Sequence, residues 1–211
     1  TQEVWTNKAK VPALTWYQAP IQKPVTQVKR SGQTVTWQHV ADTVRYGVYA
    51  IPNDKRNDAD VISSSKYYQG MSYTKSYTLD DSITTDKYTI AVTPIDRFGN
   101  EWMPAFLNEA VQNATKPILT YPSNNGSMML PNTLKWQAVN NAVGYMVQVS
   151  DDATFNKMLT QYQVVNPQMA TKPFVDLADH KKYYWRVAAL VPNAESVWSD
   201  TWSFNGKPFS I

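Results

Sequence analysis

One stretch of this chain occurs twice. Thr34-Val-Thr-Trp37-Gln-His-Val40-Ala-Asp-Thr-Val44-Arg-Tyr46-Gly-Val48 runs without a gap beside Thr133-Leu-Lys-Trp136-Gln-Ala-Val139-Asn-Asn-Ala-Val143-Gly-Tyr145-Met-Val147, and the Thr, Trp, Gln, Val, Val, Tyr and Val positions coincide. A second block follows in the same order, Lys87-Tyr88-Thr-Ile90-Ala-Val92 beside Lys182-Tyr183-Tyr-Trp185-Arg-Val187, and a further tryptophan follows each, Trp102 and Trp198. The period is about 95–100 residues, too long for a solenoid unit and right for an independent domain. The chain therefore reads as one domain duplicated. Residues 1–20 read as a tail from an upstream region, 21–112 as the first domain and 117–211 as the second. The polar, proline-ended stretch Gln112-Asn-Ala-Thr-Lys-Pro117 lies between the two.

Within each copy the apolar residues alternate, the mark of half-buried strands. Tyr46, Val48 and Ala50 share one face, leaving Arg45, Gly47 and Tyr49 outward; Tyr145, Val147 and Val149 form the matching inward set. Tyr183, Trp185, Val187 and Ala189 point inward in the later strand, with Arg186 outward. Turn chemistry separates the runs at Pro52-Asn-Asp, Phe98-Gly-Asn100 and Ser123-Asn-Asn-Gly126. The eight Trp and thirteen Tyr suit a pleated, half-buried surface. The expected fold class is all-β, two tandem antiparallel β-sandwiches.

Trp37 and Trp136 hold fixed places in the repeat, and a sandwich core needs large aromatic fillers, so both are assigned to the interior. Tyr46, Tyr88, Tyr145, Leu177, Tyr183 and Trp185 complete the expected structural core.

The chemistry-bearing residues are sparse. A net charge of +3 with interspersed signs gives no basic stripe for nucleic acid. No cysteine is present, which removes disulfides, thiolate metal sites and cysteine nucleophiles together. No apolar run approaches the ~18 residues of a membrane span. His39 and His180 fall in turns of different copies and are expected to face solvent. Asp80-Asp81 and Asp151-Asp152 are adjacent pairs whose side chains diverge, unlike carboxylates that face one another across a substrate, and read as turn formers. Asp96-Arg-Phe-Gly-Asn100-Glu lacks the alternating oxygen ligands of a calcium loop and reads as the connection between the last two strands. No catalytic residue, cofactor site or metal site is expected. Four aromatics are candidate glycan contacts: Tyr49, Tyr67, Tyr68 and Tyr73, read as exposed rings on which sugars stack, or else as rings that cover the sheet edge or pack against the neighbouring domain.

The tryptophan closing the second strand, the Tyr-x-Val of the third, and Leu177-x5-Tyr183-x-Trp185-x-Val187 resemble fibronectin type III domains. That resemblance implies a tyrosine corner, with the Tyr183 hydroxyl tying a crossover to the sheet. The second copy matches closely, through Val197-Trp-Ser199. The first has Ser82 where the leucine would stand and Ile83 one place later, which implies a turn altered by one residue.

Val11-Pro-Ala-Leu14-x-Trp16, the prolines at 20 and 24, and Tyr88-x-Ile90-x-Val92-x-Pro94-Ile-Asp96-Arg-Phe-Gly99-Asn100-Glu carry a further resemblance. They are similar to the end of a glycosyl-hydrolase-like family of exported bacterial lipoproteins, common in Bacteroidetes, in which a (β/α)8-type barrel precedes such sandwiches. It implies catalytic residues upstream of Thr1, a location in the periplasm or on the outer surface of a Gram-negative cell, and an upstream domain of the same polypeptide as partner. Two readings stand side by side: a non-catalytic accessory pair spacing or bracing that barrel, and a surface glycan-binding module of a polysaccharide-uptake system, with carbohydrate as its partner.

Overall fold

The computed structural model describes residues 20–39, 45–56, 65–156, 158–170 and 181–207. Leu177 and His180 lie outside them, so the expected Leu177–Tyr183 corner does too. The chain divides into two compact units, one made of residues up to 112 with 192–195, the other of 113–191 with 196–211.

The first unit is built on β1 (Thr26–Ser31), β2 (Thr34–Gln38), β3 (Arg45–Pro52), β4 (Tyr68–Ser72), β5 (Ser76–Thr78), β6 (Tyr88–Ile95) and β7 (Ala105–Phe106). Strands β1, β2 and β5 form one sheet in the order β1-β2-β5, and the other four form a second in the order β4-β3-β6-β7, all neighbours antiparallel. Gly32, at φ 58°, supplies the left-handed residue that the two-residue loop between β1 and β2 requires. This unit's main run ends at Gln112, the first residue of β8 (Gln112–Asn113).

The second unit carries β9 (Leu119–Tyr121), β10 (Gly126–Met129), β11 (Thr133–Trp136), β12 (Gly144–Ser150), β13 (Met158–Val164), β14 (Gln168–Ala170) and β15 (Lys182–Leu190). β16 (Ala194–Glu195) falls in the segment that belongs to the first unit, and β17 (Trp202–Lys207) closes the second. One sheet runs β14-β11-β9 and the other β10-β17-β15-β12-β13. Leaving out β10, which pairs parallel with β17, the first, second and fifth strands again make a three-stranded sheet, and the third, fourth, sixth and seventh a four-stranded one. The repeat in sequence is thus a repeat in strand order, and each unit is an immunoglobulin-like antiparallel sandwich.

Alternation selects what each sheet buries. In β2 only Val35 and Trp37 are buried, and in β11 Leu134 and Trp136. Between the sheets of the first unit pack Val25, Val28, Val35, Trp37, Tyr46, Val48, Ala50, Ile90 and Val92, with Tyr88 at the margin. The second core gathers Leu134, Trp136, Tyr145, Val147, Val149, Tyr183, Trp185, Val187 and Phe204. Trp37 meets Tyr46 edge to face at 5.2 Å, and Trp136 meets Tyr145 in the same way at 5.4 Å. The duplicated Trp–Tyr pair is the same packing element in both copies.

Strand β3 departs from simple alternation. Six consecutive residues, Tyr46–Ile51, are buried, because a second apolar layer covers the other face: Tyr49, Ile51, Tyr68, Ala91 and Phe106, with Tyr67 and Met71 against it. Gly47 is required by this crowding. A Cβ there would stand 2.7 Å from Thr93 Oγ1 and 2.8 Å from Glu101 Oε1. Gly47→Ala is expected to lower the stability of the first unit by about 1–3 kcal/mol, read as a fall in urea midpoint with an unchanged slope.

Candidate functional site

The four tyrosines singled out as glycan contacts are not brought together as an exposed platform. Tyr49 is wholly buried and Tyr68 nearly so, Tyr67 is half-buried, and only Tyr73, 71% exposed, stands in solvent. The outward placing of Tyr49 is therefore corrected. It does point away from the main core, but into the second apolar layer, where its ring lies 5.4 Å from that of Tyr68. Its hydroxyl donates to Glu101 Oε1, which also accepts from Thr93 Oγ1 at 2.5 Å. Burial, and secondarily the Glu101 carboxylate, push the Tyr49 phenol well above its ordinary range, so it stays a protonated donor. A signal was available in the sequence: the near-continuous apolar run Tyr46–Ile51 is what a strand covered on both faces looks like, whereas one-sided burial needs polar residues in alternate places.

His39, expected in solvent, is buried as well, at 6% exposure. Its Nε2–H donates to the Lys23 carbonyl at 2.9 Å, which leaves Nδ1 to accept from the Tyr46 hydroxyl at 3.5 Å. In the second unit the Tyr145 hydroxyl instead accepts the backbone N–H of Val139, at 2.9 Å. The same core tyrosine is thus tied by an imidazole in one copy and by a peptide group in the other. Desolvation holds the His39 pKa below its ordinary 6.5; the bond to Lys23 opposes this and the Lys75 charge adds to it. The unfolded chain therefore binds a proton that the folded one resists, so this contribution is intact above about pH 6.5 and is lost as the pH falls from there toward the folded value. Urea midpoints of the first unit should drop between about pH 7.5 and pH 5, and His39→Gln should flatten that drop.

The paired carboxylates serve turns. Asp80 Oδ1 accepts the Ser82 amide at 2.9 Å, Asp152 accepts the amides of Thr154 and Asn156 at 3.1 and 3.2 Å, and Asp151 meets Lys181 Nζ at 2.6 Å. Asp96 does more. Only 5% exposed, it accepts the amides of Phe98 and Asn100 on Oδ1, at 2.8 and 3.0 Å, and Asn100 Nδ2 and Trp102 Nε1 on Oδ2, at 2.9 and 3.2 Å. The loop after β6 is wound around one carboxylate, and the indole next in sequence is fastened to it. Among the described residues no three His, Cys, Asp or Glu side chains are placed to hold a metal ion. Nor, among them, is any helix long and apolar enough to cross a membrane, which says nothing of strand-built membrane proteins.

Sequence reasoning missed a stack in the second unit. Arg186, outward on β15, lies between the rings of Phe155 and Trp198, with Cζ at 4.2 and 4.5 Å from their centroids. Its Nε donates to Gln148 Oε1 at 2.8 Å, and Gln148 Nε2 donates to Gln161 Oε1 at 2.6 Å. Ser199 holds Trp198 in place by exchanging backbone and hydroxyl hydrogen bonds with Val187, at 2.7 and 3.0 Å. This stack covers part of the outer face of the sheet. Phe155 and Trp198 belong to loops, and nothing in their spacing pointed to a common cation.

No known family profile matches the chain, and no curated protein does. Among solved structures, it is similar to the FN1–FN3 domains of chicken CNTN1, at 17% identity over 90% of this chain and 69% of that one, with a TM-score of 0.37. It is similar also to the fibronectin(III)-like modules of Clostridium thermocellum CbhA, at 12% identity over 90% and 92% of the two chains and a TM-score of 0.36. A two-domain fibronectin type III segment of chicken tenascin aligns over 88% of this chain and 98% of its own, at 14% identity and a TM-score of 0.33.

Proposed function

We propose that the chain is a non-catalytic accessory pair of sandwiches that spaces or braces a neighbouring part of its polypeptide. The observation that carries this reading is where the aromatic residues go. Trp37, Tyr46, Trp136, Tyr145 and Trp185 fill the two cores, and Tyr49 and Tyr68 fill the second layer of the first unit. Aromatic surface buried in this way stabilises a scaffold and leaves little for a ligand to stack on. The polar groups behave alike: Asp80, Asp96 and Asp152 are spent on their own loops.

The sequence resemblance in residues 11–24 and 88–101 supports a more specific form of the reading, in which the neighbour is an upstream glycoside-hydrolase-like barrel of an exported bacterial lipoprotein. The periplasm or the outer cell surface is then where the pair works. The coding sequence preceding Thr1 tests this: an α/β pattern of barrel length is expected, and a short lipoprotein leader alone would overturn it.

Of its four candidates, the competing glycan-binding reading retains one exposed ring, Tyr73, and half-buried Tyr67. A glycan array and calorimetry on the whole chain should give no binding that Tyr67→Ala/Tyr73→Ala abolishes, and the double variant should stay folded with a loss of about 1–2 kcal/mol, most of it from the Tyr67 packing. Micromolar binding lost in that variant would favour the glycan module instead.

A further inference from the structure

We propose that Asn193 is a latch through which the first unit depends on the fold of the second, so that the two do not unfold as independent modules. The first unit is not one continuous run. It includes the tetrapeptide Pro192–Glu195, while the residues just before and just after that tetrapeptide belong to the second unit. The inference does not rest on the accessory role above, and its failure leaves that role untouched.

Each hydrogen-bonding group of Asn193 is met by the main run of the first unit. Its backbone N–H donates to the Pro104 carbonyl at 2.7 Å, and its carbonyl accepts the Gln112 amide at 3.2 Å. Oδ1 accepts the Phe106 amide at 3.1 Å, while Nδ2 donates to Glu109 Oε2 at 3.3 Å and to the Ala110 carbonyl at 3.1 Å. Glu109 is paired in turn with Arg56, whose guanidinium lies over the Phe106 ring, 4.9 Å from its centroid. Asparagine suits the position twice over: it tolerates the left-handed backbone, φ 56°, and it carries both a donor and an acceptor. Lys23 and Glu195 also pair, at 2.7 Å, but both are largely open to solvent and such a pair contributes little. The ends of the tetrapeptide are pinned by the second unit. Leu190 pairs with Gly144 of β12, and the Ser196 hydroxyl donates to the Ala189 carbonyl at 2.9 Å. While that unit is folded, the tetrapeptide is a short tethered loop and ordering it costs little. Once that unit unfolds, the same residues must be ordered from a long free chain, and the bonds of Asn193 weaken through entropy alone.

Amide hydrogen exchange on the whole chain tests the latch, read at Phe106, with Phe98 and Asn100 as the reference for the rest of the unit. Asn193→Gly keeps the left-handed backbone and removes only the carboxamide. It should speed exchange at Phe106 by about tenfold relative to the reference amides. The dependence on the second unit is read with Trp136→Ala, at a urea concentration that unfolds the second unit of this variant and not that of the parent. Phe106 should then exchange about tenfold faster than in the parent at the same urea. Adding Trp136→Ala to Asn193→Gly should change the Phe106 rate by no more than about twofold, because both substitutions release the same contact. Three results would each overturn the proposal: unchanged Phe106 exchange in Asn193→Gly, full Phe106 protection while the second unit of Trp136→Ala is unfolded, or effects of the two substitutions that simply multiply.

Discussion

Trp136→Ala is expected to unfold the second unit, or to leave it folded by only a small margin. The indole is 4% exposed at the centre of the core, edge-on to Tyr145 and 6.5 Å from Trp185. Removing it costs the transfer free energy of the ring and leaves a cavity that β-sheet neighbours cannot collapse into, together about 3–5 kcal/mol. The whole stability of a domain this size is about 5–15 kcal/mol. Near-ultraviolet dichroism and urea melting measure the loss directly. Trp136→Phe separates packing from polarity. The indole N–H of Trp136 is buried without a partner, as are those of Trp37 and Trp185. Phenylalanine removes an unsatisfied donor along with some volume, so it should cost clearly less than the alanine change. A variant Trp136→Ala that melts like the parent would show that the ring is not the keystone of its core.

Asp96→Ala should be the most damaging polar substitution in the first unit, with a loss of about 3 kcal/mol. Four donors converge on one carboxylate that is nearly out of contact with water. Without it, two amides, a carboxamide and the Trp102 indole N–H lose their acceptor at once, and buried donors left unpaired cost more than the bonds contribute. Asp96→Asn keeps the shape and one acceptor but turns the other end into a donor facing donors, so it should lie between the parent and alanine. Hydrogen exchange at Phe98 and Asn100 reads the effect locally. Unchanged protection of these amides in Asp96→Ala would refute the clamp.

The fold was legible because duplication reports it twice. Trp37 with Tyr46 and Trp136 with Tyr145 keep their spacing in both copies, and a pair so placed packs in the same way in both cores. The candidate surface was less legible, and the reason lies in single residues. Period-two reasoning gives Tyr49 the face opposite Tyr46 correctly, but it cannot say whether that face is wet. Phe106 and Tyr68, distant in sequence, decide that it is dry. His39 misled in the same way: a histidine after a strand reads as a turn residue, and only the Lys23 carbonyl and the Tyr46 hydroxyl make it an interior joint. The role of Asp96 was half visible, since its loop was identified, while the four donors closing on it depend on backbone geometry.

Because strands β3 and β6 lie between two dry layers, the first unit has no idle side in the middle of its larger sheet. Change there is answered by steric conflict on whichever side it points, as the space around Gly47 illustrates. Among the described residues, new affinities are most readily grafted onto this unit at its hairpin tips and its outermost strands. An engineer using it as a carrier would leave the middle of that sheet alone and randomise the rim.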